Sequence, residues 1–442
     1  MSNLLLPRLS EADPKLSAEG SIDPLGMYAI ADSLAIKLIP GVRERQTHPR
    51  FLTAIAVSHL ICDSFDDDVV AKDGVSEPWQ VFEWYFVEGL VRTTRDSKLL
   101  RGLPGQDKAA RAIKDRVHLS EKRYLKTPTV FGFHGVYRGL ARDTGIERAG
   151  RLGDLGYQLI SEWEKEQDLP GFTGTTTGRG KDVREQITNA IHEGLNKGSV
   201  ARSGSWTGWK FFSDHLGIYD AGPREAEVIA TALLDPASGF RREVLTSLTS
   251  SAGQQLWKEE VDSRHLSERR FHELLSSTAS TDLTELLLAI DAYEYFCRLL
   301  QDAFDDCLLQ LSQTQHRIPP HELGALAGVT KAAAEIPEIF SDVSDKLSPF
   351  GQVFRFQENF SSLAERMQPG DWIERLLEHH RRVQSGKPPG GKAPWFDRFD
   401  DGSCMIRTGY LREKGGQHDD SYVHAYRTQS LWSFANDSGL VA

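Results

Sequence analysis

Between Ser280 and Leu311 the apolar side chains recur at steps of three and four: Leu286, Leu287, Ile290, Tyr293, Phe296, Leu299, Leu300, Phe304 and Leu308. That period suits one face of an α-helix and not a strand, whose faces alternate at every residue. Ser280-Thr281-Asp282 supplies a cap at its start. The run reads as the long amphipathic spine of a mainly α, multi-helix, multidomain protein. The same spacing recurs elsewhere, and alternating β-branched runs are scarce. Short strands are expected only near 405–410 and at a wing near 148–157.

Met27, Ile30, Ala31, Leu34 and Leu38 follow Asp23-Pro24 at helical spacing, and Pro40-Gly41 stops them. A second helix is expected from about Pro49. Its Phe51, Leu52, Ile55, Val57, Leu60 and Ile61 are too dense for a surface element, so it is placed centrally. Asp66, Asp67 and Asp68 lack the spaced oxygen ligands and glycine of a calcium loop and read as a solvated helix end. Trp79, Val81, Phe82, Trp84, Tyr85, Phe86 and Val87 form an aromatic core segment. These elements make an N-terminal helical domain, 1–110. Region 111–170 holds FGFHGVYRGLARDTGI and RLGDLGYQLISEWEKE, two helices around a glycine turn, compatible with a helix-turn-helix or winged-helix module. Arg138, Arg142, Arg148 and Arg151 would be available to phosphates there. Region 171–205, rich in Gly, Ser and Thr around a short helix near Ile187–Leu195, reads as a connection. A helical domain with the spine follows at 206–350, where Pro337 is expected to kink a helix. A C-terminal basic and aromatic region closes the chain at 351–442.

The formal net charge of −11 confines any nucleic-acid contact to a local patch. Residues 101–126 carry eight Lys or Arg against Asp107, Asp115 and Glu121. Between His379 and Trp395 stand Arg381, Arg382, Lys387 and Lys392 with no Asp or Glu. With Trp395 and Arg398, these are the candidate nucleic-acid-binding residues: cations for phosphate and an indole for a base. GKPPGGKA, from Gly386, matches the spacing of a phosphate loop. Ala393 replaces the magnesium-binding hydroxyl, and a helix precedes the segment instead of a strand, so no nucleotide hydrolysis is expected. Asp302 and Asp306 share a helix face, read as solvated. His418, Asp420 and His424 come nearest to a metal cluster, but their spacing is wider than that of zinc helices. No catalytic residue, metal site or cofactor is assigned. Cys62, Cys297, Cys307 and Cys404 are scattered, as in a reducing compartment. The N-terminal apolar run is too short for a signal peptide, and no stretch approaches the roughly 20 apolar residues of a membrane helix. A cytoplasmic location is therefore expected.

The opening DPLGMYAIADSLAIKLIPGVRERQTHPRFL, with EPWQVFEWYFVEGLV after it, resembles uncharacterised helical proteins encoded in bacterial phage-defence islands beside helicases, ATPases and nucleases. EHHRRVQSGKPPGGKAPWF and YVHAYRTQSLW are similar to the close of such proteins. The resemblance implies an antiviral context and a partner ATPase, helicase or nuclease in a multi-protein complex. It implies no residue roles. The first expectation is a non-catalytic, DNA-associated subunit of such a complex. The alternatives are an interaction scaffold or sensor that does not touch DNA, and a metal-dependent nuclease built on His379, His380 or the His418 cluster.

Overall fold

The computed structural model describes residues 23–174, 177–219, 221–259, 264–314, 316–388 and 390–441. The expectation about a signal peptide falls outside them. The protein is mainly α-helical, with two antiparallel two-stranded sheets among the described residues. It divides into two compact units, each assembled from separated stretches of chain. No described helix is long and apolar enough to cross a membrane.

The first unit takes in residues up to Leu34, Ser263–Arg269 and Ser280–His424. Its spine, Thr281–Thr314, is 34 residues long, about 51 Å at the helical rise. The nine apolar residues that define its period are all buried. The spine packs along Ala327–Leu347, a helix that continues unbroken through Pro337. Phe296 of the spine meets Phe356 at 4.8 Å between ring centroids, and Phe356 meets Phe340 at 4.7 Å. The helix Pro369–Ser385 buries Trp372, Ile373, Leu376, Leu377, His379 and His380. A short hairpin follows, pairing Phe396–Arg398 with Cys404–Ile406. The strand expected near 405–410 thus begins one residue earlier and ends at Ile406, where a 3-10 turn, Thr408–Tyr410, takes over. Near the unit's start, Asp23 accepts from the backbone N–H of Met27 and Tyr28, and the first helix begins at Tyr28.

The second unit comprises Ala35–Asp262, Arg270–Ala279 and Ala425–Ala442. Its centre is the helix Arg50–Cys62, with ten of 13 residues buried. Helices Pro78–Thr93, Phe133–Asp143 and Asp154–Glu166 surround it. The aromatic helix Pro78–Thr93 packs on Trp209–Leu216, so closely that a Cβ on Gly89 would lie 2.5 Å from the Phe212 ring. The stretch read as a connection carries a full helix, Arg179–Lys197, packed on Pro78–Thr93. Its glycines reflect close packing: a Cβ on Gly194 would meet Val81 at 2.7 Å. The expected wing is a minimal hairpin, Glu147–Arg148 paired with Arg151–Leu152. Ala149 and Gly150 form its turn with φ of 50° and 82°, the left-handed pair that suits a two-residue hairpin loop.

Candidate functional site

In the structure two cations of the basic segment pair with carboxylates and two others donate to backbone carbonyls. Arg381 donates to Glu378 at 2.8 Å and Arg398 to Glu374 at 2.9 Å. Both carboxylates lie just upstream of the charge window that opens at His379. Arg382 donates to the carbonyl of Asn359 at 2.8 Å, and the Lys387 ammonium to the carbonyl of Asp23 at 2.6 Å. Lys392 is half-buried. Trp395 is only 4% exposed, stacked on Tyr410 at 4.9 Å with the Arg412 guanidinium 5.2 Å from its ring. That packing leaves no open indole face for a base.

The other sequence candidates are also drawn into structural contacts. His418, Asp420 and His424 part company. His424 turns to Glu294, His418 lies 3.1 Å from Asp306, and Asp420 pairs with Arg269. Asp302 and Asp306 do not form a solvated face: they accept backbone N–H groups of Gln417 and Gly416 at 3.0 and 2.9 Å. Arg138 and Arg142 both bind Glu147, Arg148 lies 3.8 Å from Asp154, and Arg151 reaches Asp63 and Asp67. None of those four guanidinium groups stands apart from a carboxylate.

A cavity of about 160 Å³ opens in the second unit beside the end of the helix Arg50–Cys62. His59 and His134 both line it, their ring centroids 6.3 Å apart and nearly perpendicular at 81°. Each ring is anchored from behind by a buried carboxylate. Glu83 sits inside the aromatic helix and accepts from the Tyr124 hydroxyl at 2.6 Å. Its other oxygen lies 3.2 Å from both the backbone N and Nδ1 of His134. Glu83 already accepts from the Tyr124 hydroxyl and the His134 backbone N–H, so the geometry sets Nδ1 as the donor to it. Nε2 is then a bare lone pair on the opposite edge of the ring, buried and without a hydrogen-bond partner. His134 is 3% exposed, and burial outweighs Glu83 in pushing its pKa below the usual imidazole value. The ring is therefore neutral at pH 7.

His59 is held differently. Its Nε2 lies 3.3 Å from Glu147, which also accepts from Nε of Arg138 and of Arg142, each at 2.9 Å. Burial opposes the Glu147 charge, but the bonds from His59, Arg142 and Arg138 prevail and hold its pKa down at about 2. Trp79 walls the pocket with its ring centroid 5.0 Å from that of His134, and its indole N–H is fixed on Glu77 at 2.8 Å. Cys62 lines the pocket as a thiol and not a thiolate, since burial raises it to about 12 despite Ser58. Four carboxylates, Asp63, Asp66, Asp67 and Glu77, line the cavity against the guanidinium groups of Arg138 and Arg151. The balance disfavours anions. A cavity near 150 Å³ accommodates a benzene-sized ring. The arrangement therefore combines space for one small ring, an aromatic wall, and a preset proton acceptor.

His59, His134, Glu83 and Glu147 are absent from the sequence-derived candidates. One signal was visible: Glu83 is a lone carboxylate inside VFEWYFV, a run otherwise apolar or aromatic. A charge in such a run needs a buried partner. The chain matches no protein-family profile, no curated protein and no solved structure.

Proposed function

We propose that the pocket between His59 and His134 binds a small, ring-bearing molecule that is neutral or cationic, and that His134 exchanges a proton with it. The observation that carries this reading is the buried, unpartnered Nε2 of His134, whose other ring nitrogen is committed to Glu83. A buried polar atom left open costs about 1–3 kcal/mol, a cost that a ligand donor would relieve. A positioned imidazole of this kind contributes roughly 10²–10⁴-fold when it acts as a general base. The test is calorimetric titration with adenine, cytosine and benzimidazole, with inorganic phosphate as the counter-probe. At least one ring compound is expected to bind the wild type, and His134→Gln to weaken it by about three- to tenfold, the worth of one hydrogen bond. Equal affinity in the variant, phosphate as the sole binder, or no binding at millimolar concentration would remove this reading.

A second reading keeps the DNA-associated defence subunit suggested by the sequence resemblance. It is favoured by the exposure of Arg381 and Arg382 near the C-terminal end of the helix Pro369–Ser385, and of Arg398 on the strand that follows. On this reading, replacing Arg381 and Arg382 by alanine makes the log–log salt dependence of duplex binding shallower by about two units. An unchanged slope in a folded double variant excludes this surface.

A further inference from the structure

We propose that Glu294, Cys297 and His424, in the first unit, form a binding site for one zinc ion. Their ligand atoms, a carboxylate oxygen, Sγ and an imidazole nitrogen, all lie within 4.8 Å of one another. No other trio of His, Cys, Asp or Glu among the described residues comes together in this way. Zinc bonds of about 2.0–2.3 Å to oxygen, nitrogen and sulfur place tetrahedral ligands roughly 3.3–3.6 Å apart. The trio therefore needs sub-ångström to ångström adjustment, which side-chain torsions supply.

The elements that deliver the three donors are themselves fixed. Glu294 and Cys297 are three residues apart on the spine and share a face. His424 arrives on the segment after Ser421. One turn along the spine, Arg298 clamps that segment by donating to the Ser421 carbonyl, the Ser421 hydroxyl and the Tyr422 carbonyl at 3.0–3.1 Å. Glu294 divides its oxygens between two tasks. Oε2 accepts the backbone N–H groups of Val423 and His424 at 2.6 and 3.1 Å. Oε1 lies 2.8 Å from His424 Nδ1. One oxygen thus orients the carboxylate from outside, as supporting hydrogen bonds do at metal centres, and the other faces the histidine. A simple Glu–His hydrogen bond accounts for two members of the trio but does not require a sulfur within the same radius.

The donor set selects the ion. One thiolate, one imidazole and one carboxylate oxygen suit zinc, whereas magnesium and calcium call for oxygen alone. Without a cation the Cys297 thiol stays protonated, pushed well above its usual range by burial and by the nearby Glu294 charge. Zinc binding releases the thiol proton, moves the imidazole proton off Nδ1 and supplies the charge that compensates thiolate and carboxylate together.

The test uses the full chain, expressed without a polyhistidine tag in zinc-supplemented medium and measured by elemental mass spectrometry. Wild type is expected to hold about one zinc per chain. Cys297→Ala and His424→Ala are expected to lose it, and Cys307→Ala, at a buried spine position outside the trio, to keep it. Cobalt exchanged into the wild type should give a thiolate charge-transfer band that Cys297→Ala lacks, which reports ligation independently of stability. Wild type without zinc and without a cobalt band, or Cys297→Ala retaining both, overturns the site. The pocket in the second unit shares no residue with this trio, so neither outcome bears on it.

Discussion

Glu225→Ala is expected to destabilise the protein by about 3–5 kcal/mol, the usual result of stripping one partner from a buried ion pair. Glu225 and Arg50 are paired in the second unit, with side-chain exposures of 0% and 2%. The second carboxylate oxygen accepts the Thr53 hydroxyl, and a further Arg50 nitrogen donates to the carbonyl of His215. Burial raises the Glu225 pKa, and Arg50 opposes that rise. Removing the carboxylate breaks this buried ion pair and leaves the Thr53 hydroxyl without its acceptor. Arg50 opens the central helix and Glu225 lies in the first turn of Pro223–Leu233, so the loss falls on the anchorage between two helices. The double variant Arg50→Met/Glu225→Leu should recover most of the stability, because the attraction within such a pair little more than offsets its desolvation. Urea unfolding midpoints decide the matter. A loss below about 1 kcal/mol in Glu225→Ala would mean that water reaches this pair.

Acidification is expected to cost the first unit about 3 kcal/mol through His380 alone. The backbone N–H of Trp395 donates to Nε2 at 3.0 Å, and Nδ1 lies 2.9 Å from the carbonyl of Pro24. Both nitrogens are therefore satisfied only in the neutral ring, with Nδ1–H donated to that carbonyl. A second proton on Nε2 would face an N–H. Burial, against the help of the Pro24 carbonyl, lowers the pKa from 6.5 to about 4. The sign follows from proton counts. Between pH 6.5 and 4 the unfolded chain binds the proton that the folded chain refuses, so stability is complete above 6.5 and falls as pH drops through the window. His379 and His134, both lowered chiefly by burial, act in the same direction. Glu225 and Asp302, raised chiefly by burial, act in the opposite one. The informative quantity is thus the difference between wild type and His380→Gln. Their unfolding free energies should converge by about 3 kcal/mol between pH 6.5 and 4. Parallel pH profiles would show that His380 is not the titrating group.

The helices were legible in sequence because their cause is local. Leu286 to Leu308 repeat at helical period whatever they touch, and the spine forms there. Glycine content at 171–205 reads differently in the structure, since Gly180 lies in the first turn of a full helix and marks close approach to the Leu169 carbonyl. Charge in the basic segment was legible only as a tally along the chain. Glu374 and Glu378, one helical turn away in space, lie outside that tally and pair with Arg398 and Arg381. The pocket was not legible at all as a site. His59 and His134 are 75 positions apart in sequence, and only the packing of two helices makes them neighbours. Their supporting carboxylates come from a third helix and a hairpin.

Gly132 connects that packing to the chemistry. A Cβ at this position would stand 2.0 Å from Glu83 Oε1 and 2.8 Å from the carbonyl of Pro128. A methyl group there would displace the carboxylate that sets which nitrogen of His134 bears the proton. A single carbon added to Gly132 would thus unseat the carboxylate that holds Nδ1 of His134. Kin of this protein that keep the same chemistry should therefore preserve a glycine two places before the histidine, and a glutamate buried among aromatics upstream. Those that have lost the glycine should have lost the glutamate as well.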